Sequence, residues 1–84
     1  MITSVQSKMA RAAVGWGVRD LAREAKVGVA TVTRFENGQA EPIPSTLSAI
    51  RQALEAAGVE FIAENGGGPG VRLRKAAAEA SEGV

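Results

Sequence analysis

Cysteine and histidine are absent from this 84-residue chain, and aromatic side chains are scarce, with Trp16 the single tryptophan. The first two absences exclude disulfides, thiolate metal sites and imidazole acid–base chemistry. No nucleophile elbow is present. Gly66-Gly67-Gly68-Pro69-Gly70 follows a strand-like run but does not open onto the Gly-Lys-Ser/Thr helix of a phosphate-cradling loop. An enzyme is therefore not expected, and neither a cofactor nor a metal. No segment has the long apolar run needed to span a membrane. The opening stretch MITSVQSKMARAA lacks the apolar centre of a signal peptide. Together with the missing cysteines this fits a cytoplasmic protein. The length allows one domain with a modest core, to which a partner chain would add.

Excess charge is also lacking overall, the net value being +1. Its distribution is uneven. Residues 1–40 carry six cationic side chains against three acidic ones, and residues 41–84 carry four against six. The basic half contains the stretch that dominates the pattern, residues 18–38. There Val18, Leu21, Ala22 and Ala25 recur at helical spacing, and Val29, Val32 and Phe35 make a second apolar face. Lys26-Val27-Gly28 between them suits a sharp turn joining two crossed helices. Ala22 and Ala25 let those helices approach closely, and Gly38 is a stop for the second.

The flanks read as two more helices. Thr3 is an N-cap with Gln6 as its capping-box partner, and the helix runs to about Val14 before Gly15. Val5, Met9, Ala12, Ala13 and Trp16 are expected to face the core. Trp16 reads as a core plug, with a ligand role as the alternative, and Lys8 and Arg11 share the opposite face. Pro42 and Pro44 break the chain. Ser45 then reads as the cap of a helix from Thr46 to about Ala57, with Leu47, Ile50, Leu54 and Ala57 along one stripe and Gly58 as its end.

Alternation sets in after Gly58. Paired antiparallel, Val59, Phe61 and Ala63 would share a face with Val71 and Leu73, and Glu60 and Glu64 would share the other with Arg72 and Arg74, with complementary charges. Ile62 falls on the charged face. Asn65 to Gly70 reads as a loop. The expected organisation is mainly α: a four-helix unit over residues 1–58, a β-hairpin or strands over 59–75, and a disordered tail over 76–84.

At Leu21-Ala22, Ala25, Val27, Ala30-Thr31-Val32, Arg34 and Phe35-Glu36-Asn37-Gly38 the chain resembles the Cro/C1-type helix-turn-helix regulators. The resemblance extends through Pro44-Ser45-Thr46-Leu47 to Gly58-Val59-Glu60-Phe61 and covers roughly residues 3–75. Lys26 stands where the family has Gly, Gly28 where it has a Ser or Thr cap, and Val18 where it has Gln. A lysine in a left-handed turn would cost on the order of 1 kcal/mol.

The resemblance implies that the second motif helix enters the major groove of double-stranded DNA. Val29, Ala30, Thr33 and Arg34 then face bases, with Arg34 suited to a bidentate contact to guanine. Arg19, Thr31, Asn37, Gln39, Ser45 and Thr46 are phosphate candidates, with Arg11, Arg23 and Lys26 adding longer-range charge. The alternatives for Arg34 are an exposed helix charge, or a pair with Glu36 or a neighbouring carboxylate. Glu36 is expected to hold the recognition helix from inside the domain.

A lone hairpin is marginal and leaves two open edges. Val59, Phe61, Ile62, Val71 and Leu73 are therefore the expected homodimer contacts, the alternative being a hairpin folded on its own domain. Two recognition helices one turn of the duplex apart would read an inverted repeat, as a repressor does. The competing function is a protein-interaction module of the same fold, such as an antitoxin or anti-activator, with a regulatory protein as its partner.

Overall fold

The computed structural model describes residues 2–74. The tail expected over 76–84 lies outside them. Four helices are followed by two strands: α1 (Ser4–Val14), α2 (Val18–Ala25), α3 (Val29–Glu36), α4 (Pro44–Ala56), β1 (Val59–Ile62) and β2 (Gly70–Leu73). Among the described residues no helix is long and apolar enough to cross a membrane.

The core forms where the apolar stripes meet. Leu21, Ala22 and Ala25 of α2, Val32 and Phe35 of α3, and Leu47, Ile50 and Leu54 of α4 are all buried. Trp16, Val18 and Val27 pack against this cluster from its margin. Between α2 and α3, Lys26 adopts the expected left-handed conformation, with φ 59°. Its N–H donates back to the last turn of α2, closing the helix before the chain turns.

Two of the sequence expectations change here. The capping box of Thr3 and Gln6 forms as expected. However, the face that α1 buries is Gln6, Ser7 and Ala10, not Val5, Met9, Ala12 and Ala13. Val5 is 57% exposed, Ala12 and Ala13 lie open, and Met9 is half-buried. The reason is polar: the groups α1 turns inward satisfy hydrogen-bonding partners on α3 and the hairpin that an apolar face would leave stranded. The second change is at α4, which begins at Pro44 with Ile43 as its N-cap and has no side-chain cap. Ser45 is thus inside the helix. Proline suits the first helical position, because its missing N–H has no partner there in any case.

β1 and β2 pair antiparallel within the chain: Val59 opposite Leu73, Glu60 opposite Arg72, Phe61 opposite Val71 and Ile62 opposite Gly70. Glu60 and Arg72 form the expected ion pair at 2.6 Å. Ala63 and Glu64 lie beyond β1. Glu64, expected on one face with Arg72 and Arg74, turns into the loop, where its Oε2 accepts from the N–H groups of Gly66 and Gly68, both 2.9 Å away. The hairpin lies against α1 and α4 rather than standing apart. The Gln6 amide fastens it, donating to the carbonyls of Ile62 at 3.1 Å and Gly70 at 3.0 Å.

Candidate nucleic-acid interface

The candidate interface is built on α3, whose eight residues have two unlike sides. Val32, Phe35 and Glu36 point into the protein. Glu36 is only 3% exposed, and a buried carboxylate requires partners. It has them on α1. Ser7 Oγ donates to Oε2 at 2.7 Å, and Arg11 donates through Nε at 2.9 Å to both oxygens and through Nη2 at 2.7 Å to Oε1. Arg11 also reaches the Trp16 carbonyl at 3.0 Å through Nη1. This fork fixes α3 against α1. The hydrogen bond to Glu36 raises the Arg11 guanidinium above its ordinary range, although burial opposes the effect. Arg11 therefore belongs to the interior network and is not a long-range phosphate attractor.

The outer side of α3 carries the residues assigned to bases. Val29, Ala30 and Arg34 are exposed and Thr33 is half-buried. The pairing alternative for Arg34 does not occur. Glu36 is occupied by Ser7 and Arg11, and Arg34 makes no ion pair or side-chain hydrogen bond among the described residues. The guanidinium at the surface of α3 is thus uncommitted.

The phosphate candidates lie at helix starts and in the following loop. Arg19 is in the first turn of α2, exposed and with no ion pair among the described residues. Thr31 is half-buried in the first turn of α3. Asn37 caps the C-terminal end of α3, Gln39 follows in the loop, and both are exposed. Ser45 and Thr46 are in the first turn of α4.

Of the four helices, only α1 has its N-terminal N–H groups covered by a cap residue's side chain; Gly17, Gly28 and Ile43 provide none for α2, α3 and α4. Open helix starts attract anions. At α2 the Gly17 N–H donates to Asp20 Oδ2 at 2.8 Å, and this bond holds the Asp20 carboxyl below its usual range. Arg23 contacts Asp20 and Glu24, so its charge is partly balanced locally.

The residues assigned to dimerisation do not all remain available. Val59 is 1% exposed, inside the subunit's own core. A strand must turn one face inward to anchor, and Val59 is that anchor. Phe61 is half-buried with the Arg51 guanidinium 5.7 Å above its ring. Ile62 and Val71 are half-buried, and Leu73 is exposed.

Ile43 and Gln6 were not singled out in the sequence as site or anchor residues. The signal for Gln6 was a capping-box side chain with two amide hydrogens left to place.

Among curated proteins, none matches the chain at a significant level. A family model described as a helix-turn-helix domain matches residues 8–61, more than half of the chain. That span contains α2, the Lys26 turn and α3, together with the Arg11–Glu36 fork that braces them. The chain belongs to the helix-turn-helix domain family, which places it broadly with DNA-binding regulators.

Proposed function

We propose that the chain is a sequence-specific, double-stranded-DNA-binding transcriptional regulator of the Cro/C1 type. It acts most simply as a repressor that occupies an inverted-repeat site as a homodimer. The observation that carries this reading is the two-sidedness of α3. One side is locked by Val32, Phe35 and Glu36, and the other offers Val29, Ala30, Thr33 and an unpaired Arg34. Arg34 reads guanine, while Val29 and Ala30 meet thymine methyl groups. Arg19, Thr31, Asn37, Gln39, Ser45 and Thr46 position the helix on phosphates. Phe61, Ile62, Val71 and Leu73 supply the side chains of the subunit contact, with the strand edges available for pairing.

The test compares binding to a fragment selected from the source genome with binding to random duplex. Arg34→Ala should lose roughly 10- to 100-fold on the selected fragment and little on random DNA. Equal loss on both makes Arg34 a phosphate contact. Sedimentation at high micromolar concentration tests the dimer, and a strictly monomeric species removes it.

A specific observation favours a second reading. The outward Val5, Ala12 and Ala13 on α1, with half-buried Met9 beside them, suit a protein partner, as in an antitoxin or anti-activator. Failure of the purified protein to retard any genomic fragment at low salt would favour that reading over the first.

A further inference from the structure

We propose that the small cavity where the start of α1, α4 and the hairpin loop meet binds a single apolar amino acid, held through both of its charges. The proposal goes beyond the DNA reading and does not rest on it, since no residue lining this cavity lies on α3.

The glycine-rich run between β1 and β2 has no part in the DNA reading, yet it is a built loop. Glu64 turns into it and accepts from the N–H groups of Gly66 and Gly68, both at 2.9 Å. Both glycines have positive φ, 99° and 90°, a conformation that other residues rarely adopt. The two bonds use Oε2 alone. Oε1 has no hydrogen-bond partner among the described residues.

This loop lines a cavity of about 220 Å³ through Glu64 and Pro69. Arg51 of α4 lines the same cavity. Its guanidinium lies 5.7 Å from the centroid of the Phe61 ring, and its Nε donates to Glu55 at 3.0 Å. Nη1 and Nη2 make no hydrogen bond among the described residues. Arg51 and Glu64 thus line one cavity with a free donor fork and a free acceptor, and they do not pair with each other. Gln6 also lines it, and its amide, bonded to the Ile62 and Gly70 carbonyls, holds the hairpin side in place.

These groups select the ligand. Two opposite charges that share a cavity without meeting are both matched by a molecule that carries both. Its carboxylate takes the guanidinium fork of Arg51, and its ammonium takes Oε1 of Glu64. A plain anion would be repelled by Glu64, and a plain cation by Arg51. The remaining contacts, from Ile2, Phe61, Ala63 and Pro69, are apolar and suit a hydrocarbon side chain. The volume lies below the usual range for ligand pockets, which limits the occupant to the size of one amino acid. The Phe61 ring holds the guanidinium in place beforehand, so less ordering is needed on binding.

The experiment measures calorimetry and thermal melts of the full-length protein with L-leucine, 4-methylpentanoate, which lacks the amine, and 3-methylbutylamine, which lacks the carboxylate. L-leucine should bind with a Kd on the order of 1 mM, so that about 10 mM ligand raises the melting temperature by roughly 5 °C. Each single-charge analogue should bind roughly tenfold more weakly. Arg51→Met should lose the preference for L-leucine over 3-methylbutylamine. Glu64→Gln keeps an acceptor for the two glycine N–H groups and should lose the preference for L-leucine over 4-methylpentanoate. Ala63→Phe, at an exposed position, fills the cavity and should abolish binding.

Absence of any shift with L-leucine, L-methionine or L-phenylalanine overturns the proposal. So does a 4-methylpentanoate or 3-methylbutylamine that binds as tightly as L-leucine, or an unchanged preference in both charge variants, which read the site even if Ala63→Phe fails to fold. Failure of wild type to bind any duplex ends the DNA reading and leaves this one standing.

Discussion

Breaking the fork between α1 and α3 should cost more than any surface change. Glu36 is 3% exposed and accepts from Ser7 and from two nitrogens of Arg11, whose side chain is itself only 20% exposed. Arg11→Met leaves the carboxylate buried with Ser7 as its remaining partner. Removing one member of a buried pair costs 3–5 kcal/mol, and the partial exposure of Arg11 lowers this to about 3 kcal/mol. Glu36→Leu strands the guanidinium instead, at a similar cost of about 3 kcal/mol.

A domain of this size has a total stability of roughly 4–12 kcal/mol, so either change removes a large share of it. The melting temperature should fall by on the order of 15 °C. The double substitution Arg11→Met/Glu36→Leu buries no unpaired charge and should recover much of the loss, giving a coupling of about 2 kcal/mol or more. Urea unfolding followed by Trp16 fluorescence measures all four proteins, since the single tryptophan lies at the core margin beside this network. A coupling near zero would refute the reasoning. So would an Arg11→Met variant that melts like the wild type.

Three further outcomes are expected. Gln6→Leu removes the donor shared by the Ile62 and Gly70 carbonyls; it should destabilise by about 2 kcal/mol, and hydrogen exchange should show the hairpin amides losing protection before those of α2. Gly28→Ser should stabilise by about 0.5 kcal/mol in thermal melts, because the backbone has N-cap geometry and an added Cβ meets only the Thr31 hydroxyl at 3.7 Å. The Asp20 carboxyl is held below its ordinary 3.8 chiefly by the Gly17 N–H, so its stabilisation is present above that pH and is lost as pH falls below it. Asp20→Asn should therefore flatten the acid limb of stability against pH, and an unchanged limb would show that Asp20 plays no part in it.

The motif was legible in the sequence because its chemistry is local. Two apolar stripes three residues apart, a left-handed turn and a terminal glycine place α2 and α3 without reference to the rest of the chain. The inner role of Glu36 came from the resemblance, in which the matching residue looks structural, and the structure gives it Ser7 and Arg11 as partners. The orientation of α1 was not. Periodicity counts apolar residues, and α1 buries Gln6, Ser7 and Ala10 while Val5 faces outward. The overlooked sign was that Ser7 and Arg11, four apart, are what a buried carboxylate needs. The start of α4 was misplaced for a similar reason. Ser45 has the chemistry of a cap, but Pro44 already fits the first turn. In the hairpin, alternation gave the face that Glu60 shares with Arg72, whereas the loop position of Glu64 depends on glycine N–H groups that side-chain patterns do not display.

The bonds from Gln6 to Ile62 and Gly70 span 56 and 64 positions of chain. On a growing polypeptide, the first helical turn can find both of its hairpin acceptors only once residue 70 has been synthesised. Loop closure over that distance is slow relative to helix formation. The fastening contact thus joins residues from opposite ends of the described chain.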